Sequence, residues 1–304
     1  MILVTPTFAA SQGVRSNPSH PVPVVVSSSR SLYNLTRMTE AEKLFNQIYK
    51  RWLSRVGFIL SFRRATHEGI HGALKTIQAQ NAQYVDGLVS GPDYDKIIVD
   101  KKGFFEALPP EKLSRQMTEL TVRQAQIGVD AASIVFAHSV LDAAALDYCR
   151  VTALVAPGDW ESVIDQRQIR LCDFRGVGYE QMLTRKLDEF FEQLERESLL
   201  KKADYLFARC KPPANWSPMH NYAYDRDRLK KLDDYRHEVI HGISAPQEIA
   251  AAEEEVDYLT RTVLYFMGLV NLRYGLRLDP FYVFTGKELP PQGMKAMTGN
   301  EAGG

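Results

Sequence analysis

The spacing of apolar residues along the chain predicts that its first ordered element is a helix. After Thr39, apolar side chains recur every three or four residues, which places them on one helical face. Thr39 and Glu42 stand three residues apart at the start of this pattern, the spacing of a capping box. We therefore expect a helix from Thr39 onward, with helical character continuing through Asp86. The residues of its apolar face are Leu44, Ile48, Trp52, Val56 and Ile59.

The region 111–275 has the pattern of four long helices separated by short breaks. The first should run from Glu111 to about Leu154, because this stretch is rich in alanine and contains no proline. Proline- and glycine-containing stretches such as "APGDW" and "CKPPANW" end the helices. The other three helices are expected at about 178–208, 225–241 and 246–273.

Strand character is confined to two short stretches, 96–100 and 281–286, which are too few to build the sheet of an α/β enzyme. The predicted fold class is all-α, with an antiparallel up-and-down helical bundle as the simplest packing. Four segments follow from these patterns. They are a flexible leader rich in Pro and Ser (1–37), an N-terminal helical region (38–110), the helical bundle (111–275) and a C-terminal tail (276–304).

Composition narrows the classes of partner. The 37 Lys and Arg residues balance 37 Asp and Glu residues, so no net charge attracts nucleic acid and an RNA-binding protein would depend on a local basic patch. The three cysteines are widely spaced, as expected of free thiols in a reducing compartment, which favours the cytoplasm. No apolar run reaches the ~18 residues of a membrane span, so no membrane association is expected.

Two catalytic patterns overlap in the stretch "DDYRHEVIHGISAPQ" at 233–247. His237, Glu238 and His241 form H-E-x-x-H, which in zinc peptidases places two imidazoles on one helical face. A third ligand is missing from the usual continuation, because Ser244 and Gln247 stand where glycine and histidine would be needed. We therefore expect no metal, no cofactor and no peptidase activity, and zinc peptidase is kept as a minor alternative.

The second pattern is an arginine followed, after four residues, by a histidine: Arg236 and His241. Arginine offers a permanent forked cation for phosphate, and histidine can donate or accept a proton near neutral pH. Gly242 follows as a helix-terminating residue would, so His241 should lie on the last turn, where the helix dipole favours a protonated imidazole. His237 could orient the phosphate or carry a second proton.

The segment from Arg236 to Gly242, late in a four-helix region, resembles the HEPN superfamily. That family forms four-to-five-helix bundles in bacterial toxins, abortive-infection proteins and CRISPR-associated ribonucleases, and its motif is Arg, a polar residue, variable positions and then His. The resemblance covers 111–275 and implies a metal-independent endoribonuclease. Arg236 and His241 would be catalytic, His237 the accessory polar residue, and the active site would form where two such domains meet.

The resemblance further implies RNA as substrate, a homodimer with the site at its interface, and a role in bacterial defence or a toxin system with a possible antitoxin or defence partner. Some members of the family serve only as interaction modules, which is the alternative function here. The branch of the family that carries Tyr two residues after the histidine is disfavoured, because that position is Ile243.

Structural interpretations remain open beside the functional ones. The two catalytic residues could instead serve packing, with Arg236 paired to Asp233. Four basic residues before the motif could follow an RNA backbone, or could form ion pairs with the interleaved acids: Arg226, Arg228, Lys230 and Lys231.

Three further groups have a functional and a structural interpretation. The aromatic residues before the motif, which could stack bases, should more simply be buried: Trp216, Tyr222 and Tyr224. His67 and His71, in a second H-E-x-x-H, are interpreted as packing or surface residues, and His138 and Asp142 as a hydrogen-bonded pair on one helix.

Overall fold

In the computed structural model of the protein, the first helix begins where the capping box predicts. The Thr39 hydroxyl accepts a hydrogen bond from the Glu42 backbone N–H at 3.1 Å, and the Glu42 carboxylate accepts one from the Thr39 backbone N–H at 2.8 Å. These two bonds satisfy N–H groups that have no partner within the helix. The predicted start of the helix is therefore confirmed.

The structure describes residues 38–91, 109–164, 176, 178–242, 249 and 251–285, and these ranges contain no β-strand, so the all-α prediction is confirmed for them. The predicted leader (1–37), residues 286–304 of the predicted tail and the strand candidate at 96–100 lie outside the described residues. A 3₁₀ turn at Pro157–Trp160 and a helical turn at Glu161–Ile164 lie between the third and fourth of the helices named next. The helices are α1 (Glu40–Gly72), α2 (Leu74–Ser90), α3 (Pro110–Val155), α4 (Tyr179–Glu195), α5 (Leu199–Cys210), α6 (Arg226–Ile240), α7 (Ala252–Tyr274) and α8 (Pro280–Thr285).

The long helix α3 organises the core. Helices α1, α2, α5, α6 and α7 all pack against it, and its buried residues join those of α1 and α7 in one hydrophobic cluster. By length and composition α3 could cross a membrane, but 56% of its most apolar 18-residue window is buried within the protein, as in a core helix. Four of the five residues predicted for the apolar face of α1 are buried: Ile48, Trp52, Val56 and Ile59.

Two predicted helices differ from those observed. The helix expected at 178–208 is divided into α4 and α5, because Ser198 caps a new helix by accepting from the backbone N–H of Lys201 at 3.4 Å. The helix expected from Pro246 begins at Ala252, since Ala251 takes a left-handed φ of 61°, which interrupts helical geometry.

The prediction of a strand at 281–286 is wrong for 281–285, the part that the structure describes, because Pro280–Thr285 form helix α8. Proline at the first helical position and a capping aspartate explain the difference: Asp279 accepts from the backbone N–H of Tyr282 at 3.2 Å. The segment before α8 is fixed to α1, where Asn46 donates to the carbonyl of Arg277 and accepts from the N–H of Asp279, each at 2.8 Å.

The close packing of α7 against the loop before α6 gives a prediction about stability. A Cβ at Gly268 in α7 would lie 2.9 Å from Pro218 Cγ and 3.1 Å from the Trp216 ring. We expect Gly268→Ala to lower the free energy of unfolding by about 1–3 kcal/mol, because the added methyl group overpacks this contact. The matched control is Gly128→Ala in α3, where nothing lies within 4 Å and the helix should gain roughly 0.5–1 kcal/mol. Urea unfolding measures both, and equal effects at the two positions would contradict the prediction.

Candidate functional site

The motif lies on helix α6, whose start is fixed by a cap and two buried leucines. The Asp225 carboxylate accepts hydrogen bonds from the backbone N–H groups of Asp227 at 2.9 Å and Arg228 at 3.0 Å. Leu229 and Leu232, one turn apart, are the buried residues of the helix and anchor its first half on the bundle. The second half, with the motif, is more exposed.

The end of α6 has the predicted geometry. The last helical residue is Ile240, and the N–H of His241 still donates to the carbonyl of His237 at 3.1 Å. Gly242 then takes a φ of +62°, a conformation that residues with a Cβ adopt only with strain. His241 therefore lies at the C-terminus of the helix, where the helix dipole favours positive charge.

The structure brings two of the three motif residues together. His237 and His241 are both exposed, and their rings are in contact, with centroids 4.3 Å apart and planes tilted by 52°. Arg236 is half-buried, and its Nε is buried with no hydrogen-bond partner among the described residues. The contact between His237 and His241 follows from their spacing, because residues i and i+4 share a helical face.

A buried imidazole touches the motif helix from α3. His138 is 1% exposed, and its Nε2 lies 3.0 Å from Asp233 Oδ1 on α6, a close polar contact without the alignment of a hydrogen bond. This contact was not predicted from the sequence. The interpretation of His138 and Asp142 as a pair was wrong, because Asp142 instead accepts a 2.7 Å hydrogen bond from Lys202 Nζ.

Asp233 is held in its charged form. The imidazole of His138 lowers the pKa of the Asp233 carboxyl, and the nearby charges of Arg236 and His237 act in the same direction, while partial burial opposes them. Since folding lowers this pKa, the carboxylate stabilises the fold above about pH 4, and its contribution is lost as the pH falls through the lowered value.

The four basic residues before the motif differ in their surroundings. Arg226 donates to both carboxylate oxygens of Asp204, at 3.2 and 2.8 Å. Arg228 donates to Glu255 at 2.8 Å and lies over the Tyr258 ring at 4.4 Å. Ion pairing thus occupies these two arginines, but their partners lie on α5 and α7 and are not the interleaved acids that the structural interpretation names. Lys230 and Lys231 are exposed, with no ion-pair partner within the described ranges.

The aromatic residues before α6 pack into the bundle. Tyr222 is buried and its hydroxyl lies 2.8 Å from the Thr262 hydroxyl. Tyr224 stacks on Tyr265 with centroids 5.9 Å apart, and Trp216 lies 5.7 Å from the same ring. Burial rather than base stacking is therefore the role that the structure gives them.

The second H-E-x-x-H lines a cleft of about 740 Å³ between α1 and the start of α7. His67 Nε2 lies 3.0 Å from Asp130 Oδ1 on α3, and Arg63 Nε donates to the same oxygen at 2.9 Å. His67 is therefore a packing residue. Residues of both charges line the cleft, and the residues of the 236–241 motif are not among them.

The zinc hypothesis lacks a ligand set in the described part of the chain. There, no three His, Cys, Asp or Glu side chains are grouped closely enough to hold a metal ion. A zinc site at His237 and His241 would need its third ligand from residues outside those ranges or from another chain.

Comparison with known proteins adds no assignment, since no protein family, curated protein or solved structure matches the chain.

Proposed function

We propose that the protein is a metal-independent endoribonuclease of the HEPN type, which cleaves RNA by attack of the ribose 2′-OH on the adjacent phosphate. The observation that carries the proposal is the end of helix α6. There, two exposed imidazoles, His237 and His241, are in contact, and the guanidinium of Arg236 lies on the same turn of helix as His237.

These groups suit each requirement of the reaction. The 2′-oxygen attacks phosphorus while a base accepts its proton, and the bond from phosphorus to O5′ breaks as an acid protonates the leaving oxygen. Imidazoles can serve as both base and acid near neutral pH. The forked guanidinium of Arg236 would stabilise the charge that develops on the phosphate.

One helix does not bring all of these groups to one phosphate. Arg236 and His241 are five positions apart, so their side chains leave the helix about 140° apart. The ring of His241 contacts His237, which lies one turn before it. We therefore propose a homodimer in which Arg236 of one chain and His241 of the other act on the same phosphate across a two-fold axis.

The wider setting rests on the resemblance of the motif. In this proposal the bundle is an antiparallel HEPN-like one, and the protein acts in the cytoplasm in bacterial defence or a toxin system, with an antitoxin or defence protein as possible partner. Two observations support it. Most of the described helices pack against the long helix α3, as helices of a bundle do. Cys149 and Cys210 are free and buried, as is usual for thiols in a reducing compartment.

The test compares labelled single-stranded RNA with its all-deoxy counterpart and with a labelled peptide, each with and without a chelator. We expect cleavage of RNA alone, unchanged by chelation, with 2′,3′-cyclic phosphate at the new ends. A substrate with one ribose in a deoxy background should be cut only after that ribose. Chelator-sensitive activity on RNA or peptide would contradict the proposal and favour the zinc peptidase or another metal enzyme.

A further inference from the structure

The carboxylate of Asp233 connects the buried core to the motif. On one side, His138 of α3 is 1% exposed and approaches Asp233 Oδ1 to 3.0 Å. On the other side, Arg236 and His237 follow Asp233 by three and four positions, so all three side chains share one face of α6. Asp233 thus lies between a buried imidazole and two residues of the motif.

The guanidinium of Arg236 contains a buried donor without a partner in the described part of the chain. Its Nε is buried without a hydrogen-bond partner in the described ranges. A buried donor of this kind is costly unless a nearby charge or a ligand compensates for it. Asp233 lies one turn before Arg236 on the same face of α6, and the contact with His138 fixes the position of its carboxylate.

We propose that Asp233, anchored by His138, is a positioning residue that orients the guanidinium of Arg236 toward the substrate phosphate. This inference rests on the proposed ribonuclease function. His138 of α3 lies against Asp233, and Arg236 and His237 follow it by three and four positions on its own helix. Asp233 itself touches no substrate and acts through Arg236.

A double-mutant cycle tests whether Asp233 acts through Arg236. Asp233→Asn keeps the size of the side chain and removes its charge, so kcat/KM for RNA should fall by about tenfold. In an Arg236→Lys background, where the fork to be oriented is already gone, the same change should cost less than about twofold. His138→Gln, which loosens the anchor and leaves Asp233 in place, should show the same dependence on Arg236.

The matched control is Asp234→Asn, which removes an equal charge from the neighbouring, exposed position of α6. It should change kcat/KM by less than about twofold in either background, because no described group links Asp234 to Arg236. Melting temperatures establish that each variant is folded at the assay temperature. If Asp233→Asn does not fold, the double-mutant cycle of His138→Gln with Arg236→Lys decides whether the contact acts through Arg236.

The outcomes separate the two proposals. Loss of activity that depends on Arg236 supports the positioning role. Equal losses with Arg236 and with Lys at that position, or equal effects of Asp233→Asn and Asp234→Asn, overturn it while the ribonuclease function stands. If the wild-type protein does not cleave RNA, both proposals are wrong.

Discussion

Replacing His241 with alanine should lower the rate of RNA cleavage by about 10²–10⁴-fold while the protein stays folded. In the proposed reaction His241 moves a proton to or from the reacting oxygen, so its loss removes general acid–base catalysis. The side chain is exposed and contacts the exposed ring of His237, so the fold should not depend on it. Initial rates on labelled RNA and a thermal melt measure the two effects.

The control for this variant is His220→Ala, since His220 is also an exposed histidine but lies in the loop before α6. It should cleave RNA at the wild-type rate. If His241→Ala remains active, the motif is not the catalytic site. If the wild-type protein leaves diverse RNAs intact but captures a specific protein, and Arg236→Ala changes neither result, the protein is instead a non-catalytic interaction module.

Mixing chains that carry Arg236→Ala with chains that carry His241→Ala should restore about a quarter of the wild-type activity. Each variant alone is expected to be inactive, because every site in its dimer lacks one residue. In a random mixture about half of the dimers contain one chain of each kind, and in those dimers one of the two sites has both an intact Arg236 and an intact His241.

The control replaces one partner with the double variant Arg236→Ala/His241→Ala, which cannot complete any site and should restore nothing. Analytical ultracentrifugation of differently tagged chains measures how much mixed dimer forms. Mixed dimers without recovered activity would show that Arg236 and His241 do not act across two chains. A strict monomer that cleaves RNA would contradict the dimer as well.

Local signals predicted the parts of the fold that depend on neighbouring residues. The capping box at Thr39, the apolar face of α1 and the end of α6 at Gly242 all follow from spacing within one turn of helix. The break at Ser198 was missed because a capping serine inside a continuous helical pattern resembles an ordinary exposed position. The helix at Pro280–Thr285 was mistaken for a strand because its aromatic and β-branched residues outweighed its cap.

In the candidate site, too, spacing along the chain predicts contacts within one helix but not contacts between helices. The contact of His237 with His241 follows from their spacing, since both belong to one helix. The partner of His138 does not, because Asp233 is far along the chain and only the packing of α6 on α3 brings the two together. Sequence spacing favoured Asp142, one turn from His138, but that carboxylate is occupied by the buried Lys202.

The packing of α1 on α3 bears on how the molecule unfolds. Five buried side chains of α1 belong to the same hydrophobic cluster as those of α3 and α7, and Arg51 and Arg63 pair with Asp147 and Asp130 on α3. Residues on both sides of position 110 therefore contribute to one core. Helices α1 and α3 should lose structure in one cooperative transition, and a fragment that began at α3 would expose to solvent the apolar surface that α1 covers. The five residues are Phe45, Ile48, Trp52, Val56 and Ile59.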